Sequence, residues 1–182
     1  MADAYLIDGY NLLHALGMIQ RNAGPGGLEA ARTRLLDFLA ASFGDKANRV
    51  TIVFDAKHAP RGVAREQTYR ALQVQFAPSK KSADDAIEDA IEEAATPKNL
   101  VVVSNDTRLQ NAARRRGARF WSHHELLDFF EQHAAKANID DVDGEKRDGV
   151  ISPEEAKRWL KEFESIERDD DLKEFFDLDR FD

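Results

Sequence analysis

The sequence predicts an α/β protein built on a parallel β-sheet flanked by helices. Two patterns point there. Short apolar, β-branched runs alternate with longer segments whose apolar residues recur at helical spacing, as in successive βαβ units. Several of the runs end in an acid beside turn or helix-start residues, as in Leu6-Ile7-Asp8-Gly9 and Val53-Phe54-Asp55. A chain of 182 residues is also long enough to bury the core such a sheet needs.

Strands are expected over Ala4–Asp8, Val50–Asp55, Leu72–Ala77, Leu100–Ser104 and Ala118–Trp121. Between them, Leu28–Phe43 sets Leu28, Ala31, Leu35, Phe38 and Leu39 on one helical stripe, and Ala83–Ala95 does the same with Ile87, Ala90, Ile91 and Ala94. Thr107–Arg116 and His123–His133 supply two further helices, with His123-His124 read as capping or surface residues. The stretch from Gly17 through Gly24-Pro25-Gly26-Gly27 is expected to be irregular, beside the first strand's carboxyl end. Ala59-Pro60-Arg61-Gly62 follows the second strand at the same edge. Loops there either carry substrate contacts or are ordinary surface connections.

Past Ala135 the pattern changes, which divides the chain into a main domain, 1–135, and a small helical extension, 136–182. Ser152-Pro153-Glu154-Glu155 is a strong helix start, with Ser at the N-cap, Pro at the first helical position and an acid closing a capping box. Trp159, Leu160, Phe163, Leu172, Phe175 and Phe176 are expected to dock the extension onto the main domain or a partner.

Charge is unevenly spread. Residues 1–135 hold 17 Lys+Arg against 17 Asp+Glu, so the net charge of -8 comes entirely from the extension. The neutral main domain still contains basic groups in Lys80-Lys81, Arg61 with Arg65, and Arg114-Arg115-Arg116 with Arg119. These read either as phosphate contacts or as a solvated face. With no cysteine there is neither a disulfide framework nor a thiolate metal site. The N-terminus lacks a basic region before its short apolar stretch, and no apolar run approaches the roughly 20 residues of a membrane span. A cytoplasmic protein without membrane association is expected.

The acids at the strand ends carry the functional reading. In an open parallel sheet the carboxyl ends of the strands meet at one crevice, and carboxylates gathered there repel one another unless a cation lies between them. Asp8, Asp55 and Asp106 each also have a simpler reading as a turn or helix cap. Within Ser82-Ala83-Asp84-Asp85-Ala86-Ile87-Glu88, Asp84 and Glu88 lie four apart on one helical face beside the buried stripe. Asp84 is therefore the expected ligand and Glu88 an additional or supporting one, while Asp85 and Asp89 face solvent. An all-oxygen set favours Mg2+ or Mn2+.

Leu6-Ile7-Asp8-Gly9-Tyr10-Asn11, Val53-Phe54-Asp55-Ala56, Ser82-Ala83-Asp84 with Ile87-Glu88, and Val103-Ser104-Asn105-Asp106 with Gly117-Ala118 together resemble the NYN domain, in its YacP-like branch of the PIN-like nuclease superfamily. The resemblance covers roughly residues 4–130. It implies a three-layer α/β/α Rossmann-like sandwich and a metal-dependent endoribonuclease acting on RNA, including messenger RNA at the ribosome. It assigns Asp8, Asp84 and Asp106 to the acidic metal positions, Asn11 to the signature asparagine and Asp55 to a supporting acid. One departure is Asn105, which stands where the branch commonly carries a hydroxyl. Tyr10, Arg61, Arg65, Lys80 and Lys81 are the candidate RNA contacts.

In the extension, Asp141, Asp143, Asp148-Gly149 and Glu155 are similar to a calcium-binding EF-hand loop, with three residues inserted. The alternative is an acidic, solvated connector. Two alternatives exist for the whole chain. A non-catalytic RNA- or ribosome-binding module would keep the same fold, whereas a haloacid-type phosphatase would need an Asp-x-Asp motif after the first strand, which is absent.

Overall fold

The computed structural model describes residues 3–19, 25–59, 62, 64–140 and 157–158. Six strands form one sheet: β1 (Ala4–Asp8), β2 (Val50–Phe54), β3 (Glu66–Tyr69), β4 (Leu72–Phe76), β5 (Leu100–Val103) and β6 (Arg119–Trp121). Their spatial order is β3-β4-β2-β1-β5-β6, all neighbours parallel except β3, which runs antiparallel to β4. The α-helices among the described residues are α1 (Gly9–Ala15), α2 (Pro25–Phe43), α3 (Ala83–Glu93) and α4 (Thr107–Arg116), which lie between strands, and α5 (His123–Asp140), which follows β6.

Side-chain alternation along the strands builds two cores. Tyr5 and Ile7 of β1 face the layer of α1, α2 and α5, packing with Leu12, Leu35, Phe38, Leu126 and Phe130. Leu6 points the other way, joining Val53 and Val102 against Ile87 and Ile91 of α3 and Leu109 and Ala112 of α4. Both faces are covered, which is why the central strands read as continuous apolar runs. The result is the expected three-layer sandwich.

Several local features differ from the sequence expectation, beginning with the helix α1, which that expectation does not include. Pro25, Gly26 and Gly27 are helical, forming the first turn of α2 instead of a loop. Proline suits that turn because its fixed φ is already helical and its missing N–H would have had no partner there. The strand β3 is mostly exposed and polar, so it gives no apolar signal; it is held as the antiparallel edge of a hairpin. That hairpin turns through Arg70 and Ala71 at φ 45° and 70°, without the glycine or asparagine such a turn favours. Asp37 of α2 anchors its tip, accepting from the Tyr69 hydroxyl at 2.8 Å and pairing with Arg70 at 3.2 Å. Finally, α5 runs past the expected end at His133 and across residue 135 to Asp140.

The strand order positions the site. From β1 the chain moves outward to β2 and β4, and α3 then returns it across the sheet to β5 on the far side of β1. The carboxyl ends of β1 and β5 therefore flank the point where the winding reverses, the crevice where open α/β sheets bind ligands. Among the described residues no helix is long and apolar enough to cross a membrane.

Candidate active site

Asp8 ends β1 and caps α1, its Oδ1 accepting the backbone N–H of Asn11 at 3.1 Å. It is only 4% exposed. Burial, reinforced by the charges of Asp84 and Asp106, pushes its carboxyl up to about 7, against the opposing pull of the Asn11 amides. The next residue must be glycine for a steric reason: a Cβ at Gly9 would lie 2.6 Å from Cδ1 and 2.7 Å from Cζ of the buried Phe54 ring.

Asp106 caps α4 from the loop after β5. Its own N–H donates to the Ser104 hydroxyl at 3.0 Å, and its Oδ1 accepts the N–H of Arg108 at 2.5 Å. Asp84 lies in the first turn of α3, whose N-cap Ser82 and third helical residue Asp85 form a reciprocal capping box. The Asp84 carboxyl is raised by burial and by Asp106, while Arg108 and a hydrogen bond with Asp8 act in the opposite direction. Three acids distant in sequence are thus brought within electrostatic reach of one another. Each stands at a helix N-terminus, where the partial positive charge of the unpaired N–H groups offsets some of the repulsion.

This donor set suits a hard divalent cation. It consists of oxygen alone, and burial makes its Asp8 member ionise reluctantly. Among the described residues no group of three or more His, Cys, Asp or Glu side chains is placed to hold a metal ion by itself.

Other candidate residues fall into different surroundings. Asp55 caps the short turn Ala56–His58, accepting the Lys57 N–H at 2.8 Å, at the end of the neighbouring strand β2. Glu88 points to two guanidinium groups, Arg108 at 2.7 Å and Arg115 at 2.9 Å. Tyr10 is partly buried edge-on to Phe54, with its hydroxyl accepting from the buried Arg32 at 2.9 Å. Lys80 and Arg65 are exposed, whereas Lys81 is paired with Asp89. Arg61 and the calcium candidates Asp141, Asp143, Asp148 and Glu155 lie outside the described residues.

The basic run at the end of α4 is engaged within the protein. Arg115 meets Glu88, Arg116 meets Glu92, Arg114 stacks over Phe120 and Arg119 pairs with Asp3. Asn105 turns away from Asp106, its Oδ1 accepting the N–H of His123 at 3.1 Å and tying the loop to the start of α5. His123 itself is fully buried, contrary to the surface or capping role expected from sequence, and among the described residues neither ring nitrogen has a hydrogen-bond partner. Sequence reasoning missed Arg108 because a single arginine after a helix cap carries no pattern; its importance comes from the packing of α3 on α4. The shallow depression lined by Ala4, Ala94, Thr96, Asn99 and Leu100 lies at the opposite, amino edge of the sheet and has no titratable lining.

Comparison with known proteins agrees with this architecture. A family model described as the YacP-like NYN domain matches residues 5–168. The protein YacP of Bacillus subtilis (strain 168) is 31% identical over 173 residues, covering 92% of this chain and 98% of its own. The crystal structure of Rae1 (YacP) from Bacillus subtilis is similar with a TM-score of 0.58 and 30% identity, covering 94% of this chain and 97% of that one. A tryptophan-to-leucine mutant of Rae1 shares the fold at a TM-score of 0.57 and 22% identity, over 90% and 99% of the two chains.

Proposed function

Because the chain belongs to the YacP-like NYN domain family, part of a nuclease superfamily, we propose that it is a divalent-metal-dependent endoribonuclease that hydrolyses RNA phosphodiester bonds. The observation that carries this reading is the meeting of Asp8, Asp84 and Asp106 at the reversal point of the sheet, from β1, α3 and α4. These three would hold Mg2+ or Mn2+, with Asp55 as a supporting acid. When bound there, such a cation neutralises the scissile phosphate and acidifies a water for attack.

The protein's own groups prepare that chemistry. The Asn11 N–H orients the Asp8 carboxylate, and its side-chain amide is placed to donate to Asp8 or to a phosphate oxygen. Ser104 and the Arg108 N–H hold Asp106 in place. In this reading exposed Lys80 and Arg65 supply phosphate contacts for single-stranded RNA, and Arg61, outside the described residues, is a further candidate from sequence. Messenger RNA at the ribosome, in the cytoplasm, is the substrate setting consistent with the family resemblance.

Incubating the purified protein with unstructured RNA and Mn2+ tests the proposal. Wild type should cleave, and Asp8→Asn and Asp84→Asn should each lose at least a hundredfold in rate. Equal cleavage by all three would refute the assignment, and intact RNA with wild type across Mg2+ and Mn2+ would favour a binding module without catalysis.

A further inference from the structure

Asp84 lies in the first turn of α3 and Asp106 caps α4, two helices that pack through small and aliphatic side chains such as Ile87, Ile91, Leu109 and Ala112, with Arg115–Glu88 and Arg116–Glu92 ion pairs towards the far end of α4. Apolar contacts of this kind are non-directional and leave helices free to slide by fractions of an ångström. A metal site tolerates little such play, because its ligands must keep a defined separation.

Beside the two acids themselves, Arg108 spans the two helices. The backbone N–H of Arg108 donates to Asp106 Oδ1 at 2.5 Å. Its guanidinium reaches across to α3, where Nη2 lies 2.7 Å from Asp85 Oδ1 and Nε donates to Glu88 Oε2 at 2.8 Å. These two anchors lie one residue and four residues after Asp84, on the first turns of the same helix. The planar guanidinium offers both bonds in one fixed geometry, which an ammonium cannot reproduce. Arg115 holds the second oxygen of Glu88 at 2.9 Å, fixing the anchor in turn.

We propose that Arg108 is a positioning residue, which sets the separation of the Asp84 and Asp106 carboxylates and thereby the affinity of the site for a divalent cation. Glu88 then acts as the anchor for Arg108 instead of as a metal ligand. This inference rests on the metal-site reading of Asp8, Asp84 and Asp106. Its ion pairs are largely exposed, a setting in which such pairs add little to global stability. The effect belongs to the site and not to the fold.

The sign of the effect separates positioning from simple charge. A guanidinium close to a cation site repels the cation, so if charge were its only influence, removing it would tighten binding. If it positions the ligands, removing it weakens binding, by about 10–100-fold as for other groups that orient metal ligands.

Mn2+ binding to the full-length protein, followed by calorimetric titration and by the loss of the free-ion electron paramagnetic resonance signal, reads this without RNA. Arg108→Ala and Arg108→Lys should both weaken Mn2+ binding at least tenfold while urea midpoints stay close to wild type. Arg108→Lys is decisive, since it retains the charge and loses the two-point bridge. Unchanged or tighter binding in either variant, with wild type binding normally, would overturn the positioning role alone. Absence of Mn2+ binding by folded wild type would overturn the metal-site reading, and this inference with it.

Discussion

His123 offers a quantitative test of the packing at the start of α5. It is 0% exposed, and neither ring nitrogen has a hydrogen-bond partner among the described residues. Burial, with a small contribution from neighbouring His124, lowers its pKa from 6.5 to about 4. In the window between those values the unfolded chain binds a proton that the folded protein refuses. The contribution is therefore fully present above pH 6.5 and is lost as the pH falls towards 4. At 1.36 kcal/mol per pKa unit, the loss totals about 3 kcal/mol. His123→Leu, of similar size and unable to titrate, should remove this dependence. At neutral pH it should also cost little, because an unpartnered buried imidazole already carries a desolvation penalty of about 1–3 kcal/mol. Urea unfolding of both proteins at pH 7.5, 6.5, 5.5 and 4.5, with EDTA present, gives the difference directly; the carboxylates titrate in both and cancel. The variant should gain on wild type by about 1.4 kcal/mol per pH unit below 6.5. Parallel pH profiles would mean that the folded protein accepts the proton on His123, and would refute the reasoning.

Asp8 should show the opposite sign. Its folded pKa is raised from 3.8 to about 7, so the stability of its protonated form is present below 3.8 and is lost as the pH rises through 7. Asp8→Asn keeps an effective helix cap, so in EDTA it should match wild type near pH 4 and exceed it by about 4 kcal/mol at pH 8, measured by urea unfolding; a difference independent of pH would contradict this. Gly9→Ala drives a methyl group into the Phe54 ring, itself packed by Tyr10 and Phe76, and should destabilise by about 1–3 kcal/mol in thermal unfolding, with a loss of RNA cleavage. Wild-type stability in that variant would show that the ring has room to move. Ala71→Gly relieves a left-handed backbone conformation at φ 70° and should raise stability by about 1 kcal/mol, where a loss would indicate that the methyl group contributes packing.

Much of the site was legible because its acids coincide with element boundaries. Asp8, Asp55 and Asp106 follow apolar runs, and the structure makes each a helix or turn cap. The cap reading does not exclude the ligand reading, since the carboxyl ends of the strands and the amino ends of the helices lie on the same side of the sheet. Basic residues were less readable. Arg114, Arg115 and Arg116 look like a phosphate patch in one dimension, but the acids on α3 and the Phe120 ring take them up. Asn105 looked like a change within the site, whereas its amide serves α5.

The sequence by itself determined where five of the six described strands and most helices lie, because the two-residue and 3.6-residue periods of buried side chains are local properties. It also determined that acids stand at the strand exits. Only the tertiary structure decided which of those acids meet. That outcome depends on β5 pairing with β1 after α3 crosses the sheet, a non-local choice made by the packing of two helix layers. The same packing turns Glu88 towards Arg108 and leaves Asp84 beside Asp8, a distinction that four-residue spacing on a single helix cannot express.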